Sequence, residues 1–393
     1  MSENYSKDIT FADAGDRVNF TEIPVLDYSL ANGTPVQQQE FLKQLKFIVH
    51  NVGFMYLKNH PIPTPLVDKV KNYCENVFNL PMEKKLEIEM ANSPTFLGYN
   101  RLGYEVTKGI QDMREQFDFA PDIPTLWKEN AGMPDWRKLR GPGQWPSENY
   151  VPGFKANVSE YMNRMSKLSL EFTDLVGQSL GFGKGFLDWH FEEEVREGGR
   201  IKMIRYPPTK SSSDEQGVGP HKDGWLTFLL QVNDVDGLEV QNHSGDWIAV
   251  PPVDGTFVVN FGVGLERVTH GAIIATTHRV VNRAGAKKDR FSLPFFQSTA
   301  QTSTWDPLPI EKLPQELREA ISSRQVVSDA SATQFPTNLV GETMLMNRIR
   351  CHPDVGMRHY PHLLDGLLDP AHPAVKERAE EFKDKLDLPR ASL

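Results

Sequence analysis

The hydrophobic period of the chain changes once, near residue 200. Before that point apolar residues recur at helical spacing, with Phe41, Leu42, Leu45 and Ile48 on one face of a helix expected over 38–51. A second helix is expected over 65–78 and a longer one over 158–180. Met162, Met165, Leu168, Leu170 and Phe172 run along the third, a methionine-rich stripe that reads as core packed behind a sheet. After Arg200 the pattern becomes short β-branched and aromatic runs cut by turns, at 202–206, 226–232, 238–241, 247–250, 256–261, 277–281 and 290–296. Asp236-Gly237 and Ser244-Gly-Asp246 are hairpin signals between them. Strands punctuated in this way predict a double-sheet jelly roll.

Past residue 296 a polar passage leads to helices expected over 314–323, 339–350 and 374–386, with a mobile loop at 328–336. The fold class is therefore mainly β with α, a double-stranded β-helix (jelly-roll) core flanked by N-terminal and C-terminal helices. Its expected divisions are a flexible lead at 1–20, a helical and strand region at 21–195, the jelly roll at 196–302 and a helical extension at 303–393. The extension is a candidate cover for the mouth of a site, or an oligomer contact. No internal repeat is visible.

Composition narrows the class. With 393 residues, 39% of them hydrophobic, the chain can bury one large core with helical additions. A formal charge of −9 argues against nonspecific nucleic-acid binding, which needs a basic footprint. Two cysteines, Cys74 and Cys351, are too few for a disulfide framework and suggest a reducing compartment. A polar start without a signal-peptide core, and no apolar stretch long enough to span a bilayer, point to the cytoplasm and away from a membrane. The final Ala391-Ser-Leu393 only echoes a peroxisomal signal, because its middle residue is not basic. Gly181-Phe-Gly-Lys-Gly185 lacks the preceding strand and the Lys-Ser/Thr ending of a phosphate loop and reads as a helix-end turn.

The chemistry concentrates at His221-Lys-Asp223 and, further on, at His278. Two imidazoles and one carboxylate form the facial triad of non-heme Fe(II), which leaves metal positions open. Residues two apart on a strand share a face, so His221 and Asp223 can reach one ion while Lys222 points away. Gly217-Val-Gly-Pro220 reads as a turn before His221, and an apolar β-prone run from Trp225 follows Asp223. The alternative is histidines that merely cap strand ends. Downstream, Arg290 and Ser292 share one strand face, and a guanidinium beside a hydroxyl suits a carboxylate. If their strand lies beside that of His278, a dicarboxylate such as 2-oxoglutarate can chelate iron with one end and meet Arg290 with the other. Tyr206 is a candidate third contact. Tyr99, Arg101, Phe117, Trp225 and Phe296 are candidate substrate walls, each with a core or surface position as its alternative. His50 and His60 read as structural, His190 follows a helix-capping region with no partner at ligand spacing, and His352, His359 and His362 read as surface residues.

With these residues in view the chain resembles the isopenicillin N synthase-like branch of the Fe(II)/2-oxoglutarate-dependent dioxygenases, a branch that includes fungal biosynthetic oxygenases. The resemblance covers roughly residues 20 to 300. Ile23-Pro-Val-Leu-Asp27 resembles the opening strand, Gly53-Phe-Met-Tyr-Leu-Lys-Asn-His60 the segment after the first helix, and Phe78-Asn-Leu-Pro81 with Glu83-Lys-Lys85 the next helix end. Arg114-Glu-Gln-Phe-Asp118 and Trp145-Pro146 fit as well. The resemblance implies His221, Asp223 and His278 as iron ligands, with Arg290 and Ser292 on the cosubstrate carboxylate. Two departures stand out: Ile204 replaces an Asn common two residues before Tyr206, and Gly262-Val-Gly264 stands where an Asp is frequent.

The implied activity is oxidation of a C–H bond in a small organic substrate of secondary metabolism, by hydroxylation, desaturation or ring closure. Fe(II), 2-oxoglutarate and O2 are the expected cofactors, with succinate and CO2 released. The alternatives are an iron oxidase of the same fold that does not use 2-oxoglutarate as cosubstrate, of the oxidative-cyclase or ethylene-forming type, and a non-catalytic interaction protein. Substrate identity and oligomeric state are not legible in the sequence.

Overall fold

A computed structural model describes residues 18–129, 131–191, 199–322 and 336–378. Among these, fourteen strands build three sheets. The largest has eight strands in the order β1-β2-β12-β9-β14-β7-β6-β3. These are β1 (Val25–Asp27), β2 (Phe54–Lys58), β3 (Gly98–Asn100), β6 (Glu115–Phe119), β7 (Gly199–Tyr206), β9 (Leu226–Gln231), β12 (Thr256–Phe261) and β14 (Arg290–Gln297). Only β1 and β2 pair in parallel within it. The smaller sheet runs β11 (Trp247–Ala249), β10 (Leu238–Gln241), β13 (His278–Asn282), β8 (Glu215–His221), all antiparallel. A hairpin of β4 (Val106–Thr107) and β5 (Ile110–Gln111) stands beside β8. Two facing, largely antiparallel sheets with helices on the outside are the jelly roll that the strand spacing predicts.

The helices cover the outer face of the large sheet. Thr34 caps α1 (Pro35–Asn51) in a reciprocal box with Gln37, and Phe41, Leu45 and Ile48 turn inward as their spacing predicts. α2 (Thr64–Val77) and the short α3 (Met82–Glu87) follow, and α1 and α2 both pack on the long helix α4 (Phe154–Ser179). In α4, Met162, Met165, Leu168 and Phe172 are buried, and the Phe172 ring meets Phe228 of β9 edge-on at 5.7 Å. The methionine stripe is core. His50 bonds the Ala272 carbonyl at 2.9 Å and His60 lies on Phe257, so both are structural.

Four features depart from the sequence reading. First, residues 215–221 form a strand, not a turn. Gly217 and Gly219 are there because neighbours crowd them: a Cβ on Gly217 would stand 2.7 Å from Asn282 Oδ1 and 2.9 Å from Tyr206 Cδ1. Pro220 is tolerated because β8 is an edge strand. Second, Gly262-Val-Gly264 opens a short helix, α5 (Val263–Val268), which carries no periodic signal long enough to read. Third, the chain docks before residue 21: Phe20 is buried against the His243 ring, and the Val18 amide donates to Asn51. Residues 1–17 of the expected lead, 328–335 of the expected loop and everything beyond 378, including most of the helix expected over 374–386, lie outside the described residues.

The fourth departure concerns the extension. After α6 (Gln315–Ser322), α7 (Val340–Cys351), α8 (Pro353–His359) and α9 (Pro373–Glu377) pack on a second apolar core. There Leu345, Ile349, Val355 and Tyr360 meet Met90, Phe96 and Trp136 of the N-terminal region. His352 is accordingly not a surface residue. It is buried, 3.4 Å from Asn100 Nδ2 and 3.9 Å from Glu105, and burial holds its pKa well below the ordinary range. His359 is half-buried against the Ala91 carbonyl, while His362 is exposed beside Asp135. Among the described residues no helix is long and apolar enough to cross a membrane.

Candidate metal centre and cosubstrate pocket

Three potential ligands converge between the two sheets. His221 ends β8 and His278 opens β13, and the two are register partners across that ladder with ring centroids 4.2 Å apart. Asp223 lies in the crossing from β8 of the small sheet to β9 of the large one. Its Oδ1 is 3.8 Å from His221 Nε2 and its Oδ2 is 3.8 Å from His278 Nε2. The three ligand atoms lie within 4.8 Å of one another, and no other such cluster occurs among the described residues.

The surroundings prepare these groups for a metal. His221 Nδ1 faces the Gly219 carbonyl at 2.8 Å and His278 Nδ1 the Thr276 carbonyl at 3.2 Å. An N–H on each Nδ1 satisfies those carbonyls and leaves each Nε2 lone pair free for the ion. Burial lowers the pKa of both imidazoles, that of His278 to about 4, which favours the neutral, ligating form. The Asp223 carboxyl is also lowered; burial opposes this, but the two imidazoles and hydrogen bonds to its oxygen outweigh it. Those bonds come from Thr227 Oγ1 at 2.7 Å and Asn260 Nδ2 at 2.8 Å, both to Oδ2. His221 keeps 32% of its side-chain surface exposed against 9% for Asp223 and 10% for His278, so the open side of the triad lies toward the cavity at His221. A set of two imidazoles and one carboxylate, buried on one side and open on the other, fits Fe(II).

Gly262 and Gly264 now acquire a reason. The N-terminus of α5 closes on the ligand loop: the Gly262 amide donates to the Trp225 carbonyl, Val263 N to Asp223 O at 2.8 Å and Gly264 N to Gly224 O at 2.8 Å. A Cβ on Gly262 would stand 2.4 Å from backbone atoms of Gly224 and Trp225. Only a bare backbone can approach so closely.

A cavity of about 1010 Å³ opens in front of the triad. Arg290, Ser292 and Tyr206 all line it. The strand of Arg290 is not beside that of His278, as the sequence reading supposed: β14 pairs with β7 and β9, and β13 belongs to the other sheet. The two groups face each other across the space between sheets, where a small molecule fits. Arg290 and Tyr206 are register partners, with the guanidinium carbon 5.1 Å from the ring centroid. Arg290 Nη2 donates to Gln231 at 3.2 Å, whereas among the described residues Nε and Nη1 are buried and make no hydrogen bond, with the Tyr206 side chain as their polar neighbour. Burial pulls the Arg290 pKa down. A buried guanidinium with two unanswered nitrogens is a built receptor for an anion.

The substrate-wall candidates divide. Phe296 lines the cavity, and Trp225 lines a second lobe of about 330 Å³ that shares Lys202, Asp223, Thr227 and Phe296 with the first. Tyr99 and Phe117 do not line either lobe; they belong to an aromatic core with Phe78 and Phe119, and the Tyr99 hydroxyl donates to Glu115 at 2.6 Å. Alternation on their strands turns them away from the site. Arg101 is a surface residue paired to Glu89 at 2.5 Å. His190 is buried between Trp189 and Trp225, where burial takes its pKa down to about 3, and among the described residues no metal cluster includes it.

Thr227, Gln231 and Asn260 escaped the sequence reading. Their signal was present: each is a polar residue inside an otherwise apolar strand, and Thr227 shares the face of Gln231.

Comparison with known proteins decides the family. Residues 23–148 match the N-terminal model of non-haem dioxygenases in morphine synthesis, and residues 198–299 match the 2OG-Fe(II) oxygenase superfamily. The chain belongs to the 2OG-Fe(II) oxygenase superfamily. This oxygenase is 39% identical over 89% of its length to the 2-oxoglutarate-dependent dioxygenase frbJ of Dothideomycetidae sp., covering 95% of that protein. It is 32% identical over 75% of its length to homoarginine-6-hydroxylase 2-ODD-C23 of Glycine max, covering 90% of it. A full-length Neurospora crassa protein solved in complex with alpha-KG superposes with a TM-score of 0.65 at 24% identity over 83% of this chain and 95% of that one, a likeness of fold. The oxygenase is thus a 2-oxoglutarate-dependent dioxygenase, an oxidoreductase that uses Fe(II), 2-oxoglutarate and O2 on a small-molecule substrate.

Proposed function

We propose that His221, Asp223 and His278 hold the iron of this dioxygenase, and that Arg290, with Ser292 and Tyr206, receives the far carboxylate of 2-oxoglutarate. The observation that carries this reading is the pair of unanswered Arg290 nitrogens lining the same cavity as the three converged ligands. When bound, iron and 2-oxoglutarate together supply the oxidising power that acts on a substrate C–H bond. The chain's own task is positional. The Gly219 and Thr276 carbonyls fix the imidazoles, Thr227 and Asn260 fix the carboxylate, and the cavity walls orient one C–H bond and exclude water.

Hydroxylation of a small polar metabolite is the favoured outcome, supported by relatives named homoarginine-6-hydroxylase, whose named substrate is a charged amino acid. A role in secondary metabolism, in the cytoplasm, accompanies this reading. The test is an anaerobic titration of the protein with Fe(II) and then 2-oxoglutarate, read by the visible charge-transfer band of the chelate. Wild type should develop the band, while His221→Ala and Asp223→Ala should not. A band that survives both substitutions rejects the ligand assignment.

A further inference from the structure

The two lobes of the cavity share a wall of buried charge that the reaction itself does not need. Strand β7 turns Arg200, Lys202, Ile204 and Tyr206 into the cavity by alternation. Lys202 and Tyr206 are four residues apart, roughly 13 Å along a strand. An anion held at Lys202 is therefore separate from the 2-oxoglutarate carboxylate proposed for Arg290 and Tyr206. From the opposite side α7 brings Arg348 to the second lobe.

The charges at this wall do not balance. Four cations, Arg114, Arg200, Lys202 and Arg348, face three carboxylates, Glu105, Asp112 and Asp118. Arg114 takes Glu105 at 2.7 Å and Asp112 at 3.3 Å, and Arg200 takes Asp118 closely. What remains for the other two is distant and shared. Lys202 Nζ reaches Glu105 Oε1 only at 3.4 Å, while Arg114 holds the other oxygen of that carboxylate at 2.7 Å. Arg348 is 3.9 Å from the Asp118 that Arg200 already holds, and otherwise donates to the Phe96 carbonyl at 3.3 Å. Their side chains keep only 9% and 16% of their surface. Surplus positive charge buried beside a cavity is costly until an anion joins it. The pKa values of both respond accordingly: burial lowers Lys202, and burial with the neighbouring Arg200 brings Arg348 to about 9. Glu105 is in turn engaged by Arg114, Lys202 and His352, so that carboxylate is already committed.

We propose that the organic substrate carries a carboxylate and that Lys202 and Arg348 receive it at the wall between the two lobes. The proposal rests on the cavity being the oxygenase site. It makes Lys202 and Arg348 specificity residues, one from the jelly roll and one from the C-terminal extension.

The test is anaerobic calorimetric titration of the Fe(II)·2-oxoglutarate protein. The probes are L-homoarginine, L-arginine, L-lysine, L-leucine and L-phenylalanine, each beside its decarboxylated amine. At least one acid should bind, with its amine about tenfold or more weaker, the loss of one charge-assisted contact. Lys202→Met and Arg348→Met should each weaken that acid by a similar factor and shrink its advantage over the amine. Lys202→Arg should retain much of it. Should Arg348→Met fail to fold, the Lys202→Met and Lys202→Arg pair decides. Acids and amines that bind alike, a panel in which no acid binds, or variants that bind as wild type does would overturn the proposal. A wild type that forms no charge-transfer band with 2-oxoglutarate sinks the oxygenase reading as well; a normal band without preference for acids sinks this proposal alone.

Discussion

Thr227 and Asn260 are register partners on β9 and β12, and both donate to one oxygen, Asp223 Oδ2. The ladder between two strands of the large sheet thereby fixes the rotation of a carboxylate that belongs to the loop entering it. If Asp223 is an iron ligand, this pair sets metal affinity without touching the metal. Asn260→Ala and Thr227→Val should each weaken Fe(II) binding by about 10- to 100-fold, the usual effect of losing a partner of a ligand. Competitive titration against a chelator measures this, and unaltered affinity would mean that the carboxylate is held by something else.

Gly262 is expected to accept no side chain. Gly262→Ala places a methyl group 2.4 Å from the backbone of Gly224 and Trp225, atoms that cannot rotate aside. Overpacking of this kind should cost about 3 kcal/mol or more and loosen the loop that carries Asp223. Gly183→Ala is the control, because nothing lies within 4 Å of its added carbon. Denaturant midpoints for the two variants should differ widely, and iron binding should suffer only in the first.

Arg290→Met should weaken 2-oxoglutarate by about 1.5–3 kcal/mol, the range for a lost hydrogen bond to a charged group. Arg290→Lys should recover part of that, since an ammonium keeps the charge but not the planar fork. The charge-transfer band, titrated anaerobically at fixed Fe(II), reads both. Equal affinities in all three proteins would remove Arg290 from the cosubstrate site.

Much of this site was legible because its chemistry is local in sequence. His221 and Asp223 are two residues apart, and Arg290 and Ser292 sit at the same interval on a strand whose bounds alternation nearly fixes. What was hidden depends on long-range packing. Gly217 and Pro220 look like a turn until β13 and Tyr206 are seen crowding β8. Tyr99 and Phe117 look like pocket aromatics until their strand faces are known. His352 looks solvated in a polar helical tail, yet a second apolar core draws it inside.

A pH dependence should appear at a residue that does not line the cavity. Burial raises the Asp354 carboxyl to about 6, and its Oδ1 makes no hydrogen bond among the described residues. The folded state therefore holds this proton more tightly than the unfolded chain, whose carboxyl titrates near 4. The protein loses stability as pH rises from about 4 to about 6, and the full penalty remains above that window. Asp354→Asn should accordingly be about 1–3 kcal/mol more stable than wild type at pH 8, with the difference vanishing near pH 4. Urea unfolding of both proteins across that range checks the sign.

Helix α7 follows the jelly roll in sequence yet supplies one side of the cavity through Asn347, Arg348 and Cys351. The triad and Arg290 are all synthesised before it. During translation, a chain of this design can assemble the apparatus for activating oxygen before it owns the surface that chooses what is oxidised. Evolution can likewise exchange that surface, one helix at a time, and leave the reactive centre as it was.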